Sequence, residues 1–148
     1  MEQDSLNRAP DADVLIGGAG PAGLALGSAL SALGLQCTII EQQPLAMLEA
    51  PPDDGREIAL THRARRVMES LGIWQRLTEG CISPMREARV ADGDSSNALR
   101  FSAVGHDALG WLVPNHEIRR VALAQAASHP AVQLLCEARV IALQHSGA

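Results

Sequence analysis

Hydrophobic residues fall along the chain in short blocks separated by glycine, proline and acidic residues, and the spacing inside each block predicts its conformation. Val14-Leu15-Ile16 is an apolar triplet bounded by glycines, as in a strand covered on both faces. Between Pro21 and Leu33, leucines 26, 30 and 33 recur at helical spacing, Pro21 suits a first helical turn and Gly34 supplies a stop, so this block reads as a helix. Cys37 to Ile40, closed by Glu41, is a second buried strand. Strand, helix and strand over about thirty residues make a βαβ unit with a right-handed crossover.

Residues 42–54 contain Pro44, Pro51, Pro52 and two Asp before Gly55, and predict a long irregular connection. From Thr61, an N-cap, Ala64, Val67, Met68 and Leu71 form an i, i+3, i+4, i+7 stripe. Arg63, Arg65, Arg66 and Glu69 lie off the stripe and Gly72 closes it, so an amphipathic surface helix is expected. Arg86 to Val90 and Leu99 to Phe101 flank Asp92-Gly93-Asp94-Ser95 and predict a hairpin with an Asp-Gly turn. Leu112-Val113 leads into a helix from His116 to Ala127 that stops at His129-Pro130. Val132 to Leu135 and Arg139 to Leu143 read as strands, and residues 1–12 as a loose polar leader before an ordered span of 13–148.

A length of 148 residues with 47% hydrophobic content suits one domain with a real core. Alanine supplies 24 residues and the aromatics are only Trp74, Phe101 and Trp111, so that core is aliphatic and small. The net charge is −5 and all twelve basic residues are Arg, which leaves no basic face for a nucleic acid partner. Cys37, Cys81 and Cys136 are dispersed, which argues against zinc or a disulfide framework and for a reducing, cytoplasmic setting. The 27 residues from Val14 to Ile40 carry no charge, but Gly17, Gly18, Gly20, Pro21 and Gly23 break the continuous helix that a membrane span requires. Residues 1–13 hold four acids against Arg8, unlike a secretory signal.

Gly18-Ala19-Gly20-Pro21-Ala22-Gly23 is a G-x-G-x-x-G placed after a strand and at the start of a helix. In that setting the first glycine permits the tight turn, the second lets backbone approach a pyrophosphate, and the third lets helix and strand close together. The helix N-terminus adds unpaired N–H groups and the positive end of its dipole. Glu41 ends the second strand where a carboxylate can accept hydrogen bonds from adenosine ribose hydroxyls, and there it would repel a 2′-phosphate. These residues predict an ADP-bearing dinucleotide and do not choose between FAD and NAD. The five histidines are scattered and Asp53 and Asp54 are loop neighbours without a partner constellation, so no catalytic acid, base, nucleophile or metal site is expected. Asp4, Asp11 and Asp13 read as part of a solvated leader.

Three further stretches narrow the choice. Asp54-Gly55-Arg56 with Ile58-Ala59-Leu60, Leu71-Gly72-Ile73-Trp74, and Ala108-Leu109-Gly110-Trp111-Leu112-Val113-Pro114-Asn115 stand in order along the chain. Together with the glycine motif they closely resemble the flavin-dependent aromatic hydroxylases of ubiquinone biosynthesis, in the p-hydroxybenzoate hydroxylase-like superfamily. The resemblance implies a Rossmann-like α/β fold of the glutathione-reductase type with a small antiparallel β layer. It implies FAD as cofactor, with the main chain of residues 18–23 and the carboxylate of Glu41 on its ADP half. Arg56 would lie along the pyrophosphate and ribityl region, Asn115 and Arg119 near the ribityl side, and Val140 would offer main-chain groups to adenine, although Val140 also fits a core strand. Arg119 and Arg120 are adjacent on a helix, so both cannot face one ligand.

The reaction that the resemblance implies is hydroxylation of a lipidic polyprenyl phenol or methoxyphenol by O2 and NAD(P)H through a flavin C4a-hydroperoxide, and it allows peripheral association at a membrane or with a biosynthetic complex. The family's later Asp-Gly and Gly-Asp motifs do not occur before Ala148. An N-terminal fragment, incomplete in its sheet and inactive alone, is therefore expected. An NAD-dependent Rossmann oxidoreductase and a non-catalytic dinucleotide-binding module remain the alternatives.

Overall fold

The computed structural model describes residues 12–91, 93 and 98–143. Its elements run β1 (Val14–Gly17), α1 (Pro21–Ser31), β2 (Cys37–Ile40), α2 (Leu45–Glu49), β3 (Glu57–Leu60) and α3 (His62–Ser70). There follow β4 (Ser83–Met85), β5 (Glu87–Ala91), β6 (Ala98–Ser102), β7 (Gly110–Pro114), α4 (Asn115–Ala127) and β8 (Val132–Leu135). The described residues fall into two compact units, one of residues 12–50 with 122–143 and the other of the described residues within 51–121. The leader up to Asp11, His145 and the turn residues Asp92, Asp94 and Ser95 lie outside the described residues. Among the described residues no helix is long and apolar enough to cross a membrane.

The first unit is built on a parallel sheet of order β1-β2-β8. Ile16 lies opposite Ile39, and Ile39 opposite Leu134. Ile16, Cys37 and Ile39 pack with Leu24 of α1 and with Ala122, Leu123 and Ala126 from the last turns of α4. The βαβ reading therefore holds, with two corrections. The β1 strand is covered on one face only, since Ile16 is 7% exposed and Leu15 66%. The buried side of α1 is Leu24, Gly27 and Ser28, whereas Leu26 and Leu33 are exposed. The reason is steric: α1 meets the sheet at Gly27, where a Cβ would stand 2.9 Å from Ile39 Cδ1, so the helix presents its small residues inward. Ser28 is accommodated there because its hydroxyl donates to the Leu24 carbonyl at 2.9 Å.

Three other differences follow from local chemistry. The proline-rich connection contains α2, whose Leu48 is buried. The stretch 139–143 forms no strand and Val140 is 54% exposed, so it is not a core strand valine. Glu137 just before it has φ 55°, a left-handed residue that turns the chain out of the β8 direction.

The second unit pairs β3, β7 and β4 in an antiparallel sheet and β5 with β6 in a hairpin. Thr61 caps α3 by accepting from the Ala64 N–H at 3.1 Å. Gly72, with φ 74°, ends that helix. The predicted stripe on α3 is shallower than its pattern suggested: none of its residues is fully buried and Val67 is 48% exposed. Strands β3, β4 and β7 were not separately apparent from periodicity, because their pattern is short and interrupted by Pro84 and Gly110.

Candidate functional site: a glycine turn, an acid and an Asp-Gly-Arg loop

In the first unit, β1 delivers the chain into the turn of residues 18–20 and α1 begins at Pro21. Gly18 takes φ 99°, a conformation open to glycine and costly for other residues. A Cβ on Gly23 would overlap the carbonyl oxygen of Gly18, whereas a Cβ on Gly20 would meet nothing within 4 Å. The third glycine thus serves close packing and the second faces open space, the division of labour that the motif requires. No side chain caps α1 and its first turn holds no acidic residue, so N–H groups there are left for another acceptor. This chemistry fits an anionic pyrophosphate.

Glu41 immediately follows β2. Its Oε2 accepts from the Ala19 N–H at 2.8 Å and its Oε1 from the Gln43 N–H at 2.9 Å. The carboxylate is thereby held beside the glycine turn, 22 residues away in sequence. Gly18, Glu41 and Val140 line one concavity of about 200 Å³ together with Gly17, Ile40 and Ala138. The structure therefore brings Val140 beside Gly18 and Glu41 while removing it from the predicted strand. Gly17 and Ala138 had no sequence signal beyond their small size.

In the second unit, Arg56 and Asn115 meet at Asp54. Arg56 donates through Nε at 2.8 Å and Nη2 at 2.5 Å to Asp54 Oδ2, and Asn115 donates to the same oxygen through Nδ2 at 2.8 Å. The Asn115 N–H also donates to the Arg56 carbonyl at 2.9 Å, across the end of the β3–β7 pair. The Arg56 side chain is hydrogen-bonded yet 67% exposed, and Asn115 is buried. These donors, Arg56 first and Asn115 second, hold the Asp54 carboxyl far below its ordinary range. Asn115 is more than a helix cap, because its amide donates away from the helix. Asp54 as the common acceptor was missed in the sequence, although the Asp-Gly-Arg triplet contained it. Arg119 is half-buried on α4 with no hydrogen bond or ion pair among the described residues, while Arg120 is paired to Glu117 at 2.7 Å. No group of three or more metal-ligating side chains occurs among the described residues.

Comparison with known proteins decides the family. Residues 11–148 match the model of the FAD-binding domain. The chain belongs to this family.

Among curated relatives, the FAD-binding domain is 44% identical over 131 residues to the ubiquinone hydroxylase UbiM of Neisseria meningitidis, covering 84% of this chain and 28% of that protein. It is 34% identical to the ubiquinone hydroxylase UbiL of Rhodospirillum rubrum, covering 90% of this chain and 31% of that protein. The chain thus spans less than a third of the length of either. Among solved structures, a substituted variant of PqsL of Pseudomonas aeruginosa superposes with TM-score 0.72 at 26% identity, over 91% of this chain and 36% of that one. The Rossmann-like α/β fold is that of FAD-dependent monooxygenases, as the resemblance implied, and FAD is the family's cofactor.

Proposed function

We propose that this chain holds the ADP half of FAD in a monooxygenase that hydroxylates a polyprenyl phenol or methoxyphenol on the way to ubiquinone. The observation that carries the reading is the glycine turn with Glu41 tied to it at the end of a parallel βαβ unit. Within residues 18–23 the N–H groups of Gly20, Ala22 and Gly23 face the pyrophosphate, those of Gly18 and Ala19 being taken by Ile40 and Glu41, and Gly20 leaves the space that its approach needs. Glu41 exchanges part of its present hydrogen bonding for the ribose hydroxyls, and its charge disfavours a 2′-phosphate. By the family resemblance, Arg56, whose guanidinium is paired with Asp54, would serve the pyrophosphate, Asn115 and Arg119 the ribityl side and Val140 the adenine. Bound FAD would supply the redox chemistry, accepting electrons from NAD(P)H and activating O2.

Support for the substrate class comes from the names of two relatives that match most of this chain. A lipidic phenol also favours peripheral contact of the whole enzyme with a membrane. Titration of the folded chain with FAD, NAD and NADP, followed by flavin fluorescence and calorimetry, tests the cofactor assignment. Saturable FAD binding that weakens about tenfold in Glu41→Gln, the size expected for one lost charged hydrogen bond, supports it. A folded chain that takes NAD and ignores FAD overturns it. Product analysis with prenylated phenols, NAD(P)H and a chain of the relatives' length tests the reaction itself.

A further inference from the structure

A cavity in the second unit is left unused by this reading. It has a volume of about 590 Å³ and is lined by His62 and Arg65 of α3, Arg86 between β4 and β5, His106 and Asp107 from the loop before β7, and Trp111 of β7. We propose that it binds a dianionic phosphoryl group, either free phosphate or a phosphomonoester.

Four observations converge on that chemistry. The first is the lining: two guanidiniums, of which Arg65 is paired with Glu69, and two imidazoles supply hydrogen-bonding nitrogens against one carboxylate, Asp107, in a chain whose net charge is −5. The second is preorganisation. The Arg65 guanidinium is fixed by the Glu69 carboxylate at 2.7 Å and by stacking 4.9 Å from the Trp74 ring centre and 4.4 Å from that of Trp111. His62 donates through Nε2 to the Ala108 carbonyl at 2.8 Å, because a carbonyl can only accept, and this leaves Nδ1 as its open nitrogen.

The third is unused donor capacity. Neither Arg86 nor His106 has a hydrogen bond or ion pair among the described residues, and the His106 ring lies 4.6 Å from that of His62. The fourth is the backbone: His62 is the first residue of α3, whose N-terminal end carries the positive end of the helix dipole. A guanidinium fork on Arg86 matches phosphoryl oxygens, and the indole and imidazole rings offer walls for the organic part of an ester.

Two charged residues at the cavity act in opposite directions. Arg86 should attract the ligand and Asp107 should oppose it. The test follows imidazole C–H resonances of the full chain during titration with inorganic phosphate, phenyl phosphate and phenol. Phosphate or phenyl phosphate should shift His62 and His106 while leaving His116 and His129 in place, and phenol should shift neither pair. Arg86→Gln should weaken binding about fivefold or more and Asp107→Asn should tighten it about twofold, as expected for charges on an exposed rim. Both residues are exposed, and unchanged melting of each variant confirms that the fold persists. Tighter binding of phenyl phosphate identifies an ester as the ligand, and tighter binding of inorganic phosphate identifies the free ion. Equal shifts at all histidines, equal binding of phenol, or an Arg86→Gln variant that binds unchanged would overturn the assignment.

Discussion

Single atoms separate packing from binding at the glycine turn. Alanine at position 23 drives a methyl group into the Gly18 carbonyl, which is backbone and cannot swing away. Gly23→Ala is expected to cost about 1–3 kcal/mol of stability, typical of overpacking, and to be read as a lower urea midpoint. Gly20→Ala meets no atom of the chain and occurs at φ −72°, so its stability should stay within about 0.5 kcal/mol while FAD affinity falls. Equal loss of stability in both variants would refute this division. A second residue-scale effect concerns acid. Asp54 is bonded in its ionised form by Arg56 and Asn115, so its folded pKa is depressed below the ordinary 3.8. Its contribution to stability is therefore fully present above that value and is lost as pH falls below it. Asp54→Asn should lower the thermal midpoint at neutral pH and flatten the acid limb of the melting profile below about pH 4, the range of an unperturbed carboxylate.

Elements were legible in proportion to how much of their pattern is local. The βαβ unit could be read because its glycines, proline and apolar runs report directly on backbone conformation, and the β1–β2 pairing bears this out. The covered side of α1 could not be read, because leucine spacing indicates a helix but the face chosen depends on Gly27 fitting over Ile39, a contact between elements. The antiparallel sheet was obscured for a similar reason. Gly110 looks like a turn residue in sequence, yet it is a buried strand residue where β7 passes the Leu60 carbonyl too closely for any Cβ. The Asp54–Arg56–Asn115 cluster joins positions 61 residues apart, so its members could be nominated but not their shared acceptor. Gly110→Ala should therefore separate β3 from β7 and cost about 1–3 kcal/mol, as overpacking against backbone does. Both tryptophans of the chain, Trp74 and Trp111, lie in this unit, so their fluorescence during denaturation reports the loss directly. An unchanged tryptophan transition would show that the sheet tolerates the methyl group.

Across the molecule, two units carry different surfaces. In the first, the sheet buries Ile16, Cys37 and Ile39 against its helices, while the alternate positions on the same strands point the other way. Leu15 is 66% and Leu135 47% exposed on that second face, with half-buried Ile40 opposite Leu135 in register. Two-sided apolar strands are the pattern of parallel sheets with a layer on each face, and among the described residues this second face keeps Leu15 and Leu135 exposed. Exposed apolar area of this kind binds hydrophobic dyes and favours self-association. The described chain should accordingly enhance the fluorescence of such a dye in its native state, before any unfolding. Leu15→Gln should reduce that signal and leave stability within about 0.5 kcal/mol, because the side chain gives up little burial. The same substitution at Ile39, which is 0% exposed, should instead unfold the unit. If Leu15→Gln were as damaging as Ile39→Gln, both faces of the sheet would be covered in solution, and the second face would not be the open surface of this protein.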